Sequence, residues 1–234
     1  MTTITTWFTL GLLGELLGTA LLAYGYTLVP EATRKRYLLL VAIPGIAIVA
    51  YLLLVLGIGA LDGGGHTVYV VRYVDWLLTT PINVLYLGLL AQADRGTIGK
   101  LVGLQALTIV FGFAGAMASG ALSYALFAVG AVAFAGVVYL LYGDVADSAV
   151  AALSDVEGSL YRTLRNFVVV LWSVYPVVWL LGAAGIGLMD VETASLVIVY
   201  LDVVTKVGFG TIALHAWMTM DADTVTEGTA VTAD

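Results

Sequence analysis

Asp202 and Lys206 stand one helical turn apart in the last long apolar segment, within Tyr200-Leu201-Asp202-Val203-Val204-Thr205-Lys206-Val207-Gly208-Phe209-Gly210. Arg72 and Asp75 make a second pair of opposite charges in an earlier apolar segment. Spacings of i,i+3 and i,i+4 place both members of a pair on one helix face, so the four can gather as two cations and two anions. Neutrality of that cluster matters, because an unpaired buried charge costs several kcal/mol or titrates away. Desolvation favours the neutral amine of a lysine, the form that condenses with an aldehyde, and two nearby carboxylates then hold the charge of the protonated imine. The same residues also suit a salt-bridge network that only ties two helices together. Such networks are expensive in lipid, which favours a chemical role.

The elements that must position these groups are membrane spans. The chain is 61% hydrophobic and 11% charged, with a mean hydropathy of +1.04, whereas roughly a quarter of the residues of a soluble domain are charged. Seven stretches are long enough to cross about 30 Å of hydrocarbon as helix: Ile4 to Leu28, Tyr37 to Leu61, Val68 to Ala91, Ile98 to Ala118, Leu122 to Gly143, Leu160 to Gly182 and Val191 to Met218. Short connections make neighbouring spans antiparallel. The expected fold is an all-α membrane protein, a seven-transmembrane helix bundle over residues 1–220 embedded in the lipid bilayer of the cell membrane. Residues 221–234 read as an acidic, disordered tail.

Arg34, Lys35, Arg36, Arg95, Lys100, Arg162 and Arg165 fall in or beside the odd-numbered connections, and the even-numbered ones hold no Lys or Arg. The positive-inside rule then places the N-terminus outside and the C-terminus inside. The start of the chain lacks the basic region of a cleavable signal. With no cysteine there are neither disulfides nor thiolate metal sites, and His66 and His215 do not make a metal site. Nucleic acid is not an expected partner for a chain of net charge −7.

Three segments in order resemble the microbial (type 1) rhodopsins of haloarchaea: Arg72-Tyr73-Val74-Asp75-Trp76-Leu77-Leu78-Thr79-Thr80-Pro81, Leu171-Trp172-Ser173-Val174-Tyr175-Pro176-Val177-Val178-Trp179, and Leu201-Asp202 through Lys206 to Gly210. The resemblance runs from the first span to the end of the seventh. It implies retinal bound covalently to Lys206 as a protonated Schiff base, Asp75 as primary counterion and proton acceptor, Asp202 as second counterion and Arg72 as their outer partner. It also implies a pocket containing Trp76, Thr79, Thr80, Asn83, Gly112, Phe127, Gly130, Phe134, Trp172, Tyr175, Trp179 and Thr205. Trp76, Trp172, Tyr175 and Trp179 would clamp the polyene. Without the family, such aromatics are more often core or interfacial anchors.

Within that family the chain is similar to the sensory rhodopsin II type, or to an intermediate between it and the proton pumps. Asp75 argues against a chloride pump, because an anion has no reason to settle beside a carboxylate. The inner aspartate that serves proton pumps as donor is replaced by Tyr86, its polar neighbour by Leu40, and the outer glutamates by Ala184 and Ala194. A tyrosine, ionising at about pH 10, is a poor donor, so the proton returns slowly and the activated state is long-lived. Thr205 and Tyr175 resemble the hydroxyl pair used there for signal relay. Tyr200 matches a position facing the transducer, and Asp190 stands where a threonine is usual. The resemblance implies a photoreceptor for phototaxis, not an enzyme, that signals through a two-helix membrane transducer. A slow light-driven outward proton pump is the alternative.

Gly130 and Ala131 stand where redder pigments carry hydroxyls near the ring of retinal, so the expected absorption is blue-green. Asn83, where the family places a branched apolar side chain, either holds a water on the inner side of the Schiff base or satisfies the backbone below Pro81. Pro176 is a candidate hinge for the sixth span. Glu15, within Gly14-Glu15-Leu16-Leu17-Gly18, reads as part of a helix-contact or homo-oligomer face, or as a protonated acid next to lipid.

Overall fold

The computed structural model describes residues 3–231, with side chains as far as Met220; the side chains of the tail 221–234 lie outside the described residues. Among the described residues, seven helical spans are long and apolar enough to cross a membrane. The first four are α1 (Thr3–Gly25), α2 (Arg34–Val55, entered through a 3-10 turn at Glu31–Thr33), α3 (Val70–Leu90) and α4 (Arg95–Met117). The fifth joins α5 (Gly120–Tyr142) to α6 (Asp144–Ala152), and the sixth joins α7 (Asp155–Trp172) to α8 (Val174–Leu181). The seventh runs through α9 (Val191–Val203), a π turn (Val204–Gly208) and α10 (Phe209–Val231).

Each of the first five spans packs on the next, and α1 also packs along α9, which closes the bundle. Apolar side chains cover the outside: Leu17, Val132 and Tyr139 are each 73% exposed. A surface of that kind is stable against hydrocarbon and costly against water. Polar groups instead collect inside, where Asp75, Asp202, Lys206, Arg72, Thr79 and Asn83 are all buried.

Several ends of spans differ from expectation. Leu61 and Val68 were expected to close the second span and open the third. They instead face each other in an antiparallel hairpin, β1 (Ala60–Gly63) and β2 (His66–Tyr69). Gly64 and Gly65 turn it with φ of +62° and +86°, conformations that suit a two-residue hairpin turn. Past its expected end, the fifth span breaks at Gly143 and resumes as α6 to Ala152.

Helix starts are written locally. Asp94 caps α4 by accepting from the N–H groups of Gly96 and Thr97, and Asp190 caps α9 by accepting from Thr193. These bonds hold both carboxyls below the usual aspartate range. Ser154 and Glu157 form a reciprocal capping box at the start of α7. Pro44 and Pro81 lie within unbroken helices. At Pro176 the helix is interrupted: α7 ends at Trp172, whose carbonyl Pro176 has no N–H to meet, and α8 restarts at Val174.

Candidate functional site

The centre of the bundle holds a cavity walled by α3, α4, α5, the α7–α8 span and α9 with its π turn. Lys206 lies in the π turn, a widened stretch of backbone that recurs at functional sites. Its Nζ is 2.5 Å from Asp75 Oδ2 and 3.8 Å from Asp202 Oδ2. The two spans that carry the sequence motifs therefore meet at this lysine, as the pairing of charges requires.

The two aspartates have different surroundings. Asp202 accepts three hydrogen bonds from uncharged donors: Tyr51 Oη at 2.8 Å on Oδ2, and Trp76 Nε1 at 3.0 Å and Tyr175 Oη at 2.7 Å on Oδ1. Asp75 accepts only from Lys206, and its Oδ1 is buried without a partner. A carboxylate satisfied by several donors keeps its charge, while an under-satisfied one gains more by taking a proton.

Arg72 does not join the ion pairs. Its guanidinium lies 5.0 Å from the ring centroids of both Phe8 and Tyr69, and Nε and Nη2 have no hydrogen-bond partner. The expected four-charge cluster is thus a lysine between two aspartates, with the arginine held against aromatic faces toward the hairpin.

The expected pocket residues come together around this group. Trp76, Trp172, Tyr175 and Trp179 line the cavity, with Trp76 and Tyr175 edge to face and Trp179 stacked on Phe127 at 4.3 Å. Phe134, Gly130, Ala131, Thr80, Thr205 and Asn83 also line it. Gly112 faces open space, so the missing side chain leaves room in the wall. Thr79 is buried but faces its own helix, donating to the Asp75 carbonyl at 2.8 Å. Thr205 donates to the Asp202 carbonyl at 3.3 Å.

Tyr86 lies away from the cavity, buried against Phe209, and its hydroxyl accepts from Trp217 Nε1 at 3.1 Å. Tyr200 points outward from α9 with 66% exposure. Asp190 is exposed at the start of the same helix, where capping accounts for its presence.

Two site residues escaped the sequence reading. Tyr51 lies on the buried face of α2 that also carries Tyr37, Leu40, Pro44 and Ala47, and that 3–4 spacing was its only signal. Gln105 donates from Nε2 to Thr80 Oγ1 at 2.9 Å, and a lone amide in an apolar span was the hint. Glu15 is buried with no exposure, which removes the lipid-facing reading. Gly14 and Gly18 pack on Val203 and Val207, so that face of α1 is an internal helix contact and not an oligomer surface.

Comparison with known proteins gives a consistent set of relatives. A profile of the family described as "Bacteriorhodopsin-like protein" matches residues 2–220. The chain is 72% identical to Sensory rhodopsin-2 of Haloarcula vallismortis over the full length of both chains. It is 46% identical to Sensory rhodopsin-2 of Natronomonas pharaonis, covering 95% of this chain and 93% of that one. Thermophilic rhodopsin from Rubrobacter xylanophilus superposes with a TM-score of 0.87 at 34% identity, covering 92% of this chain and 97% of the other.

Proposed function

This chain belongs to the bacteriorhodopsin-like family and is sensory rhodopsin II-like, and on that premise we propose that it is a blue-green retinal photoreceptor for phototaxis with Lys206 as the attachment site. The observation that carries the reading is Lys206, which lies in the wall of an aromatic-lined cavity and is paired with Asp75. The family implies retinal, and the residues present fit it: a buried amine, flat aromatic side chains, and open space at Gly112. When bound, retinal supplies the light-absorbing polyene and the aldehyde that condenses with the amine to a Schiff base.

The protein's own groups then have distinct tasks. Asp202, held by Tyr51, Trp76 and Tyr175, is the fixed counter-charge. Asp75, with Oδ1 free of donors, accepts the proton from the nitrogen of Lys206 on illumination. That transfer cancels the charges that attract α3 to the π turn. Trp172, Tyr175 and Trp179 bring the cavity wall up to the Ser173–Pro176 interruption, so a change in the cavity bears directly on the hinge of the sixth span.

The return of the proton is slow on this reading. Tyr86 is buried against Phe209, near the charged connections, with its hydroxyl engaged by Trp217. Leu40 of α2, in the same buried cluster, is fully buried and apolar. The positive-inside orientation puts this end inside and the hairpin outside. The exposed Tyr200 on α9 then suits contact with a two-helix membrane transducer.

The test is light-induced pH change in an unbuffered suspension of cells or vesicles carrying this protein and retinal, with and without a protonophore. A visible pigment that cycles slowly with little proton flux is expected. Robust acidification outside intact cells, abolished by the protonophore, would make the protein an outward pump.

A further inference from the structure

Glu15 is a buried acid that the photoreceptor reading does not use. It lies on the face of α1 that carries Gly11, Gly14 and Gly18. A Cβ at Gly14 would meet Val203 at 2.9 Å, Gly18 is pressed against Val207, and Gly11 against the ring of Tyr51. Glu15 therefore enters the bundle at the depth of Lys206, between α2 and the π turn. Its side chain is fully buried, and neither Oε1 nor Oε2 has a hydrogen-bond partner. The charged groups nearest this carboxyl are Lys206, Asp202 and Asp75.

The charge balance decides what form such a group takes. Lys206 already stands between two carboxylates, Asp75 and Asp202, Arg72 lies apart against Phe8 and Tyr69, and the group that α2 presents to Glu15 is the uncharged Tyr51. An ionised Glu15 would add a negative charge with two unsolvated oxygens, far costlier in a low-dielectric interior than a neutral carboxylic acid. We propose that Glu15 is a third acid of the Lys206 cluster, protonated while Asp75 and Asp202 are ionised, and that its proton sets the charge environment and hence the colour at the Lys206 nitrogen. The colour half rests on retinal attachment at Lys206; the proton half does not.

Two consequences are distinctive. At neutral pH Glu15→Gln keeps the group uncharged, so the absorption maximum stays close to that of the unmodified protein. In alkali the unmodified protein loses the Glu15 proton, and the new negative charge near the nitrogen favours the ground-state cation and moves absorption to shorter wavelengths. Glu15→Gln lacks that transition.

The experiment is infrared spectroscopy of the retinal-free protein labelled with 13C-glutamate, in H2O and D2O across a pH ramp, followed by visible spectra after retinal is added. A glutamate carboxylic C=O band is expected at neutral pH, far above the range of about 4.3 in which an exposed glutamate ionises. It should shift in D2O and be missing from Glu15→Gln. Only carboxylate bands at neutral pH would overturn the assignment, and the labelled unmodified protein decides this even where the variant does not fold. A carboxylic band without an alkaline colour change would overturn the tuning role. If the band is present and no visible pigment forms, the retinal reading fails while the protonated Glu15 stands.

Discussion

Tyr51 of α2 and Asp202 of α9 are joined by a 2.8 Å hydrogen bond across 151 positions of sequence. With Trp76 and Tyr175 it leaves Asp202 fully engaged, while Asp75 binds Lys206 through one oxygen and keeps the other free. Two aspartates of the same residue type, both within reach of one lysine, are thereby given different tasks by their neighbours.

Tyr51→Phe removes one donor from a buried charged group, and a hydrogen bond to a charged group contributes about 1.5–3 kcal/mol. A lower thermal midpoint in detergent or lipid is expected. An unchanged midpoint would mean that the bond carries no net stability.

Asp75→Asn removes the negative charge nearest Lys206 and with it the acceptor. The pigment should still form, with absorption moved to longer wavelengths, and the light-induced proton arrival seen as a carboxyl band in infrared difference spectra should vanish. Persistence of that band would assign the acceptor role to Asp202.

Asn83 lines the cavity with its Oδ1 buried and unpartnered, the condition in which an amide holds water. Asn83→Leu should slow the return of the proton to the Lys206 nitrogen in flash photolysis. An unchanged decay would leave Asn83 with a packing role only.

Asp94 and Asp190 are lowered from 3.8 by the hydrogen bonds they accept as helix caps. A group depressed in the folded state stabilises it above the unfolded value and loses that contribution as pH falls through the folded value. The first turns of α4 and α9 should therefore fray only in acid below about pH 4, and amide exchange at Thr97 and Thr193 reports it. Protection unchanged down to the lowest pH would show the caps to be dispensable.

Seven spans, the charged motifs and the family resemblance were legible in the sequence because membrane hydrophobicity and i,i+4 spacing are local properties. Lys206, Asp75 and Asp202 could be named from them, and so could the aromatic walls. Local pattern also misled: Leu61 and Val68 look like span ends, yet Gly64 and Gly65 fold them into a hairpin. Tertiary structure decided which side chains meet. Tyr51, Trp76 and Tyr175 come from three different helices to one carboxylate, Arg72 turns to Phe8 and Tyr69 in place of an aspartate, and Glu15 packs inward on Val203 and Val207. Hydrogen bonds and close contacts between distant helices depend on rotation and depth in the bundle, which periodicity along one chain does not encode.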